Sequence, residues 1–380
     1  MSEFKSPNFR NEDGSAAPDI VGVTTFTSPY YFVPPSGTTA ERPSGDGLAP
    51  GMLRFNTDIG RLEVWRGDHW ATILGESPNL GNQLVSNSAG GTGTRGVFGS
   101  GGTEPNTLYD VIDYITISTL GDAQDFGDLS TTQTIRAACS SSTRGVFTGG
   151  QPSTTNLLEF ITISSTGNAT DFGDQTGAKN CSAGCANNTR GLFAGAANPS
   201  FVNVIDYITI AQTGNAVDFG DLAYSSQQAG AFSSSVRGVF FGGWMSPGNS
   251  NTISFVTIST TGNAQDFGDL ITGRHGCTGT SSATRGLING TADPGNSVEF
   301  VTISSTGNAQ DFGDLTVARR NSCGAASVTR SVIAGADYSP AGLNVIDYVT
   351  IATTGNALDF GDRTGLYGGM CGLSNAHGGL

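Results

Sequence analysis

From about residue 79 onward, apolar residues come in short runs separated by Gly, Asn, Ser and Thr, and the runs recur in a fixed order. A first segment is small and polar, as in Arg136-Ala-Ala-Cys-Ser and Arg320-Asn-Ser-Cys-Gly-Ala. A second opens on an arginine (Arg95, Arg144, Arg190, Arg237, Arg285 or Arg330) and runs apolar into glycine, as in 144–150, RGVFTGG. A third alternates, as in Val204-Ile-Asp-Tyr-Ile-Thr-Ile. The turn Thr-Gly-Asn-Ala follows, and then a fourth run built on Asp-Phe-Gly-Asp. Alternation of β-branched and aromatic residues reads as strand, and no stretch carries the 3.6-residue period of an amphipathic helix. The Gly and Asn of Thr-Gly-Asn-Ala fit a hairpin turn, since both accept positive φ.

The order repeats six times. Asp-Phe-Gly-Asp begins at Asp125, Asp171, Asp218, Asp266, Asp311 and Asp359, spaced 46, 47, 48, 45 and 48 residues apart. A period of roughly 40–50 residues with four strands is the length of one propeller blade, and such a unit buries its apolar faces only against its neighbours. The expected fold is all-β, a six-bladed propeller over residues 79–380. A propeller must join its last blade to its first. The run after the sixth phrase, RTGLYGGMCGLSNAHGGL, matches a first segment and the start of a second, with His377 in the arginine position. Residues 364–376 are therefore expected to supply the inner strand of the first blade.

The N-terminal part is different. Residues 1–50 are rich in Pro, Ser and Gly and read as an extended attachment arm, with Phe4, Phe9, Tyr30, Tyr31 and Phe32 as anchors on a partner. Residues 51–78 hold three short apolar runs, Met52–Phe55, Arg61–Trp65 and Trp70–Leu74, which predict a small three-stranded meander. So small a sheet is not stable alone and is expected to serve attachment or oligomerisation. The tripeptide Arg66-Gly67-Asp68 falls in one of its turns, and a hairpin accounts for it.

Composition narrows the function. Only 13% of the 380 residues are charged and the net charge is −14, which argues against nucleic acid as a partner. No segment is apolar enough to insert into a membrane. The six cysteines lie among small residues without paired spacing and read as buried side chains, not as zinc ligands or disulfides. No cofactor motif is present. The three histidines, His69, His275 and His377, accompany no nucleophile motif, so a catalytic site is not expected, although carboxylate pairs for glycoside cleavage are available. The repeated arginines and the first Asp of each phrase are the expected inter-blade pairs, held by charge-assisted hydrogen bonds. Calcium binding by Asp-x-x-Asp is the weaker alternative, as two carboxylates make a poor site. Between the second and third segments every repeat has an irregular loop with a proline, and these loops should emerge on one face. Trp244, Met245, Tyr338, Asp337, Phe201 and Asn198 are the candidate ligand-binding residues there.

Two resemblances bear on context. The apolar run ending in Gly149-Gly150 or Gly242-Gly243, with the later steps Ile112-Asp113-Tyr114 and Ile205-Asp206-Tyr207, resembles the kelch type of propeller repeat, although Phe stands where that family has Trp in its last strand. The segment Gly51, Arg54, Phe55, Asn56, Thr57, Asp58, Leu62, Glu63, Trp65, Gly67 and Trp70 resembles a stretch found in tail-fibre and other virion proteins of tailed bacteriophages. The repeat phrase resembles proteins of phages of aquatic bacteria. The resemblance implies a virion protein, without enzymatic activity, bound to other virion proteins through residues 1–75. It implies a homo-oligomer, a trimer being favoured, and a host-surface glycan or protein as ligand. A capsid or tail decoration protein with a purely architectural propeller is the alternative.

Overall fold

The structure, a computed structural model, describes residues 34–44, 48–72, 94–103, 107–197, 200–290, 295–336 and 342–380. All regular structure among them is β, and the chain divides into two compact units, Met1–Ser77 and Pro78–Leu380.

In the N-terminal unit the sheet has four strands where three were expected. Ser36–Gly37 pairs parallel with Leu53–Asn56, which pairs with Arg61–Trp65, which pairs with Trp70–Thr72. Part of the expected arm is thus sheet, because residues 34–44 cover one face of it. That face is polar. Arg54, Asn56 and Glu63 are buried on it, with Arg54 3.1 Å from Glu63 and Asn56 Nδ2 donating to Glu63 Oε1 at 3.2 Å. Arg42 binds the same carboxylate and holds Glu63 below its ordinary value. The Arg66-Gly67-Asp68 tripeptide is a hairpin turn, closed by Arg66 N donating to His69 O. Phe4, Phe9, Tyr30, Tyr31 and Phe32 lie outside the described residues.

The second unit is built of six four-stranded antiparallel sheets, numbered I to VI here, whose strands pair in the order first to fourth. Sheet II comprises Ala138–Ser140, Arg144–Thr148, Thr155–Thr162 and Thr170–Lys179. Sheet III comprises Ala183–Ala186, Arg190–Ala197, Phe201–Thr209 and Val217–Asp221. Sheet IV comprises Gly230–Ser233, Arg237–Phe241, Thr252–Thr257 and Gln265–Asp269. Sheet V comprises Thr278–Ser281, Arg285–Asn289, Gly295–Thr302 and Gln310–Arg319. Sheet VI comprises Cys323–Ala326, Arg330–Ala336, Leu343–Thr350 and Leu358–Tyr367. Sheet I takes its second to fourth strands from Arg95–Thr103, Thr107–Thr116 and Gln124–Asp128, and its first from Cys371–Ser374, within the C-terminal run expected to supply it.

The core is not one mass but six layers. Each apolar cluster combines residues of two successive sheets, for example Val146, Leu158 and Phe172 of II with Phe193 and Ile208 of III. Phe98 and Ile115 of sheet I pack with Val332, Ile346 and Phe360 of sheet VI in the same way. Sheets covered on both faces bury polar positions as well. Asp206, which alternation alone would turn to solvent, is fully buried.

Successive sheets are clasped by the two repeated phrases. The backbone N–H of the second Asp in each Asp-Phe-Gly-Asp donates to the Asn side chain of the next sheet's Thr-Gly-Asn-Ala: Asp128 to Asn168, Asp174 to Asn215, Asp221 to Asn263, Asp269 to Asn308 and Asp314 to Asn356, each at 3.1 Å. Asp362 donates likewise to Asp122 of sheet I at 3.0 Å. The asparagine of this turn therefore serves as an acceptor between sheets, and its backbone is not among the positive-φ positions expected for it. The intervening glycine permits the approach. A Cβ on Gly220, at φ +146°, would lie 2.5 Å from the Gly262 carbonyl oxygen. Gly220→Ala should therefore cost at least about 2 kcal/mol through backbone strain and overpacking. A chemical-denaturation midpoint equal to that of the parent protein would contradict this.

Candidate binding face and the seams that hold it

The repeated arginines join sheets, but not by the carboxylate pairing expected of them. Each guanidinium lies over the aromatic ring of its own third strand, 4.5 Å for Arg95 on Tyr114, 4.3 Å for Arg144 on Phe160 and 4.8 Å for Arg190 on Tyr207. Arg237, Arg285 and Arg330 cover Phe255, Phe300 and Tyr348 at 4.4, 4.4 and 4.5 Å. Each also donates through Nη1 to a backbone carbonyl of the next sheet, at Ile163, Ile210, Ile258, Ile303, Ile351 and Ile117 in turn. Asp125, Asp171, Asp218, Asp266, Asp311 and Asp359 are exposed and belong to none of the ion pairs among the described residues. Ring face and carbonyl occupy the guanidinium, while the carboxylates stay hydrated.

Buried ion pairs do exist, and the sequence reading missed their acids. They sit in the middle of the third strands, at Asp113, Glu159, Asp206, Glu299 and Asp347. Each is met by a cation from the segment that crosses over from the preceding sheet. Arg363 reaches Asp113 at 2.8 Å, Lys179 reaches Asp206 at 2.8 Å and Arg319 reaches Asp347 at 2.7 Å. Arg274 binds Glu299, and Arg136 lies 3.8 Å from Glu159. At the remaining seam the third strand carries Ser254, and Tyr224 donates instead to the Gly242 carbonyl at 2.9 Å. Burial pushes the Glu299 carboxyl up from its ordinary range, with Arg274 opposing it. An apolar-acid-aromatic step, Asp at 113, 206 and 347 and Glu at 159 and 299, is the signal available for these acids.

With that frame fixed, the loops joining second to third strands share one end of the sheets with the crossovers between sheets. Here the six first strands surround a cavity of about 90 Å³. At its mouth each sheet contributes one left-handed residue: Ile135, Cys181, Gln228, Gly276, Asn321 and Gly369. Backbone hydrogen bonds run from one to the next, Gly276 N to Gln228 O at 2.9 Å and Asn321 N to Gly276 O at 2.7 Å being examples. Trp244 and Met245 stand beside this mouth on a two-strand hairpin, Trp244–Met245 with Gly248–Asn249. The hairpin is anchored by reciprocal backbone bonds between Trp244 and Gln227. The Trp244 ring packs edge-on to His275, 5.3 Å away, and His275 Nδ1 is 2.7 Å from Asn249 Oδ1. Trp244 and Met245 are half-buried.

No protein-family model matches this chain, and no curated protein matches it. The structure brings Trp244 and Met245 together and adds His275, Asn249 and Gln227, none of them marked by any sequence pattern as a neighbour of Trp244. Phe201 is half-buried at the start of a third strand, opposite Ala197. Asn198, Asp337 and Tyr338 lie outside the described residues. Among the described residues no three His, Cys, Asp or Glu side chains gather as metal ligands. All six cysteines are buried free thiols, with Cys277, Cys323 and Cys371 pushed up to about 12 by burial, so they are chemically quiet.

Proposed function

We propose that this chain is a non-enzymatic virion structural protein of a tailed phage, a fibre or adhesin that binds a host-surface glycan or protein. In this reading the six sheets are the blades of a kelch-like propeller, and the N-terminal unit attaches it to the particle and to sister chains as a trimer. Support for a propeller comes from the seams, since sheet VI meets sheet I through the same layer, arginine and clasp as every other pair. Support for attachment comes from the N-terminal sheet, whose virion-like residues Arg54, Asn56 and Glu63 form its buried polar network, while Met52, Leu53, Ile59 and Leu62 stay exposed.

The observation that carries the adhesin reading is the Trp244 hairpin beside the central mouth, on a frame otherwise held constant from sheet to sheet. A partly exposed, backbone-anchored indole next to His275 and Asn249 combines a stacking surface with polar groups, which suits a sugar or a protein side chain. The test is saturable binding of the full-length chain to cells of aquatic bacteria and to an array of their surface glycans. Trp244→Ala should weaken that binding about tenfold or more, a loss of at least about 1.4 kcal/mol, with the unfolding midpoint unchanged. A folded chain that binds neither cells nor glycans would replace the adhesin by the decoration protein.

A further inference from the structure

At the opposite end of the six first strands, the last residue of each strand occupies one place in a ring: Ser374, Ser140, Ala186, Ser233, Ser281 and Ala326 for sheets I to VI. Four carbonyls of the ring accept a hydroxyl from a neighbouring sheet. Ser140 Oγ donates to Ser374 O at 2.8 Å, Ser233 Oγ to Ala186 O at 2.6 Å, Ser281 Oγ to Ser233 O at 2.7 Å and Ser374 Oγ to Ala326 O at 2.6 Å. By the same pattern, the carbonyls of Ser140 and Ser281 would be served from positions 186 and 326, and both are alanine. Those two carbonyls are the ones the C-terminal residues occupy. His377 Nε2 lies 2.9 Å from Ser140 O, and Gly378 N donates to Ser281 O at 3.0 Å. Sheets II and V stand three places apart in the sequence of six, so the tail spans the ring from one side to the other.

The fit is close. A Cβ on Gly378 would collide with Ser282 O, and one on Gly379 with Ala186 O. The hydrogen bonds also fix the imidazole's state. Gly379 N donates to His377 Nδ1 at 3.1 Å, so Nδ1 is an acceptor and the proton is on Nε2, shared with Ser140 O. A second proton would remove that acceptor and place a charge among small side chains away from water, with only the Ser140 carbonyl favouring it.

We infer that residues 377–380 are an acid-released latch, docked across this end of the central cavity while His377 is neutral and freed when it is protonated. No charged group faces the ring from the strands packed against it. Their only titratable side chains there are the Cys139 and Cys185 thiols, which burial keeps protonated, and residues 364–380 carry no Asp, Glu, Lys or Arg. Burial pushes His377 below its ordinary value, with the Ser140 carbonyl opposing. Docking therefore keeps its full strength above the released imidazole's value of about 6.5 and weakens as pH falls below it. Release uncovers the smaller cavity lined by Ser140, Ala186, Ser233 and Ser281.

Hydrogen exchange of the full chain at pH 7.5 and pH 5.5, corrected for intrinsic rates, tests this. If only the released imidazole binds the extra proton, protection of the Gly378 and Gly379 amides should fall about 10-fold between the two, while first-strand amides keep theirs. His377→Gln offers the same donor and acceptor without titrating and should make tail protection independent of pH. Ala186→Ser supplies the missing hydroxyl to the Ser140 carbonyl and should lower tail protection at both pH values without lowering the unfolding midpoint. Equal protection of the parent tail at both pH values would overturn the latch, as would a tenfold fall that persists in His377→Gln.

Discussion

Deletion of residues 364–380 should abolish cooperative unfolding altogether. The loss removes the first strand of sheet I, which pairs with Arg95–Thr103, and with it the buried Met370, Cys371 and Leu373. Burial of Met370 and Leu373 alone is worth roughly 1.5–3 kcal/mol each. Their absence also opens two of the six inter-sheet layers, since Met370 packs in the layer between sheets VI and I and Leu373 in the layer between I and II. Domains of ordinary stability hold only about 5–15 kcal/mol in reserve, and little would remain. Calorimetry of the truncated chain should show a broad, weak transition in place of a single sharp one, and a synthetic peptide of residues 364–380 should restore it. A truncated chain that melts as sharply as the parent would show that the closing strand is dispensable.

Asp113→Ala should be the most damaging single substitution at the seams. Its carboxylate is fully buried and accepts from Arg363 Nε at 2.9 Å and from Thr364 Oγ1 at 2.8 Å. Removing it leaves a buried guanidinium without its counter-charge, which typically costs about 3–5 kcal/mol. The expected fall in melting temperature is roughly 5–15 °C. The paired variant Asp113→Ala with Arg363→Met removes both charges and should recover much of the loss, because an apolar pair pays no desolvation of ions. The seam at Ser254 and Tyr224 already does without an ion pair, so the architecture tolerates a neutral one. A paired variant no more stable than Asp113→Ala would show that the geometry, not the charge, is what the seam requires.

The strands, the six repeats and the closing role of the C-terminal run were legible because each is a local or periodic signal. Alternation at Val204–Ile210 marks a strand whatever surrounds it, and Asp-Phe-Gly-Asp marks the period by itself. What was not legible depends on the neighbouring sheet. Asn168 looked like a turn residue because its partner, the Asp128 N–H, lies 40 residues away in sequence. Alternation alone would turn Asp113 to solvent, since nothing local says that both faces of the sheet are covered. Arg95 and Asp125 were paired on charge alone, yet the aromatic ring of Tyr114 and the carbonyl of Ile163 hold the arginine instead. Ser36–Gly37 carries too little pattern to announce a strand at all. Of the candidate site, Trp244 was visible as an aromatic in a variable loop. His275 and Asn249 were not, because a loop's folded shape brings them beside it.

The pairing of Cys371 with Gly99 joins positions 272 residues apart. At translation rates of about 5–20 residues per second, the ribosome needs roughly 15–50 s to travel that distance. Throughout that interval Arg95–Thr103 of sheet I lacks its partner strand and presents an unpaired edge, the kind of edge that recruits other chains. The order of synthesis thus opens a window in which that edge is available to neighbouring nascent chains before its own partner has been made.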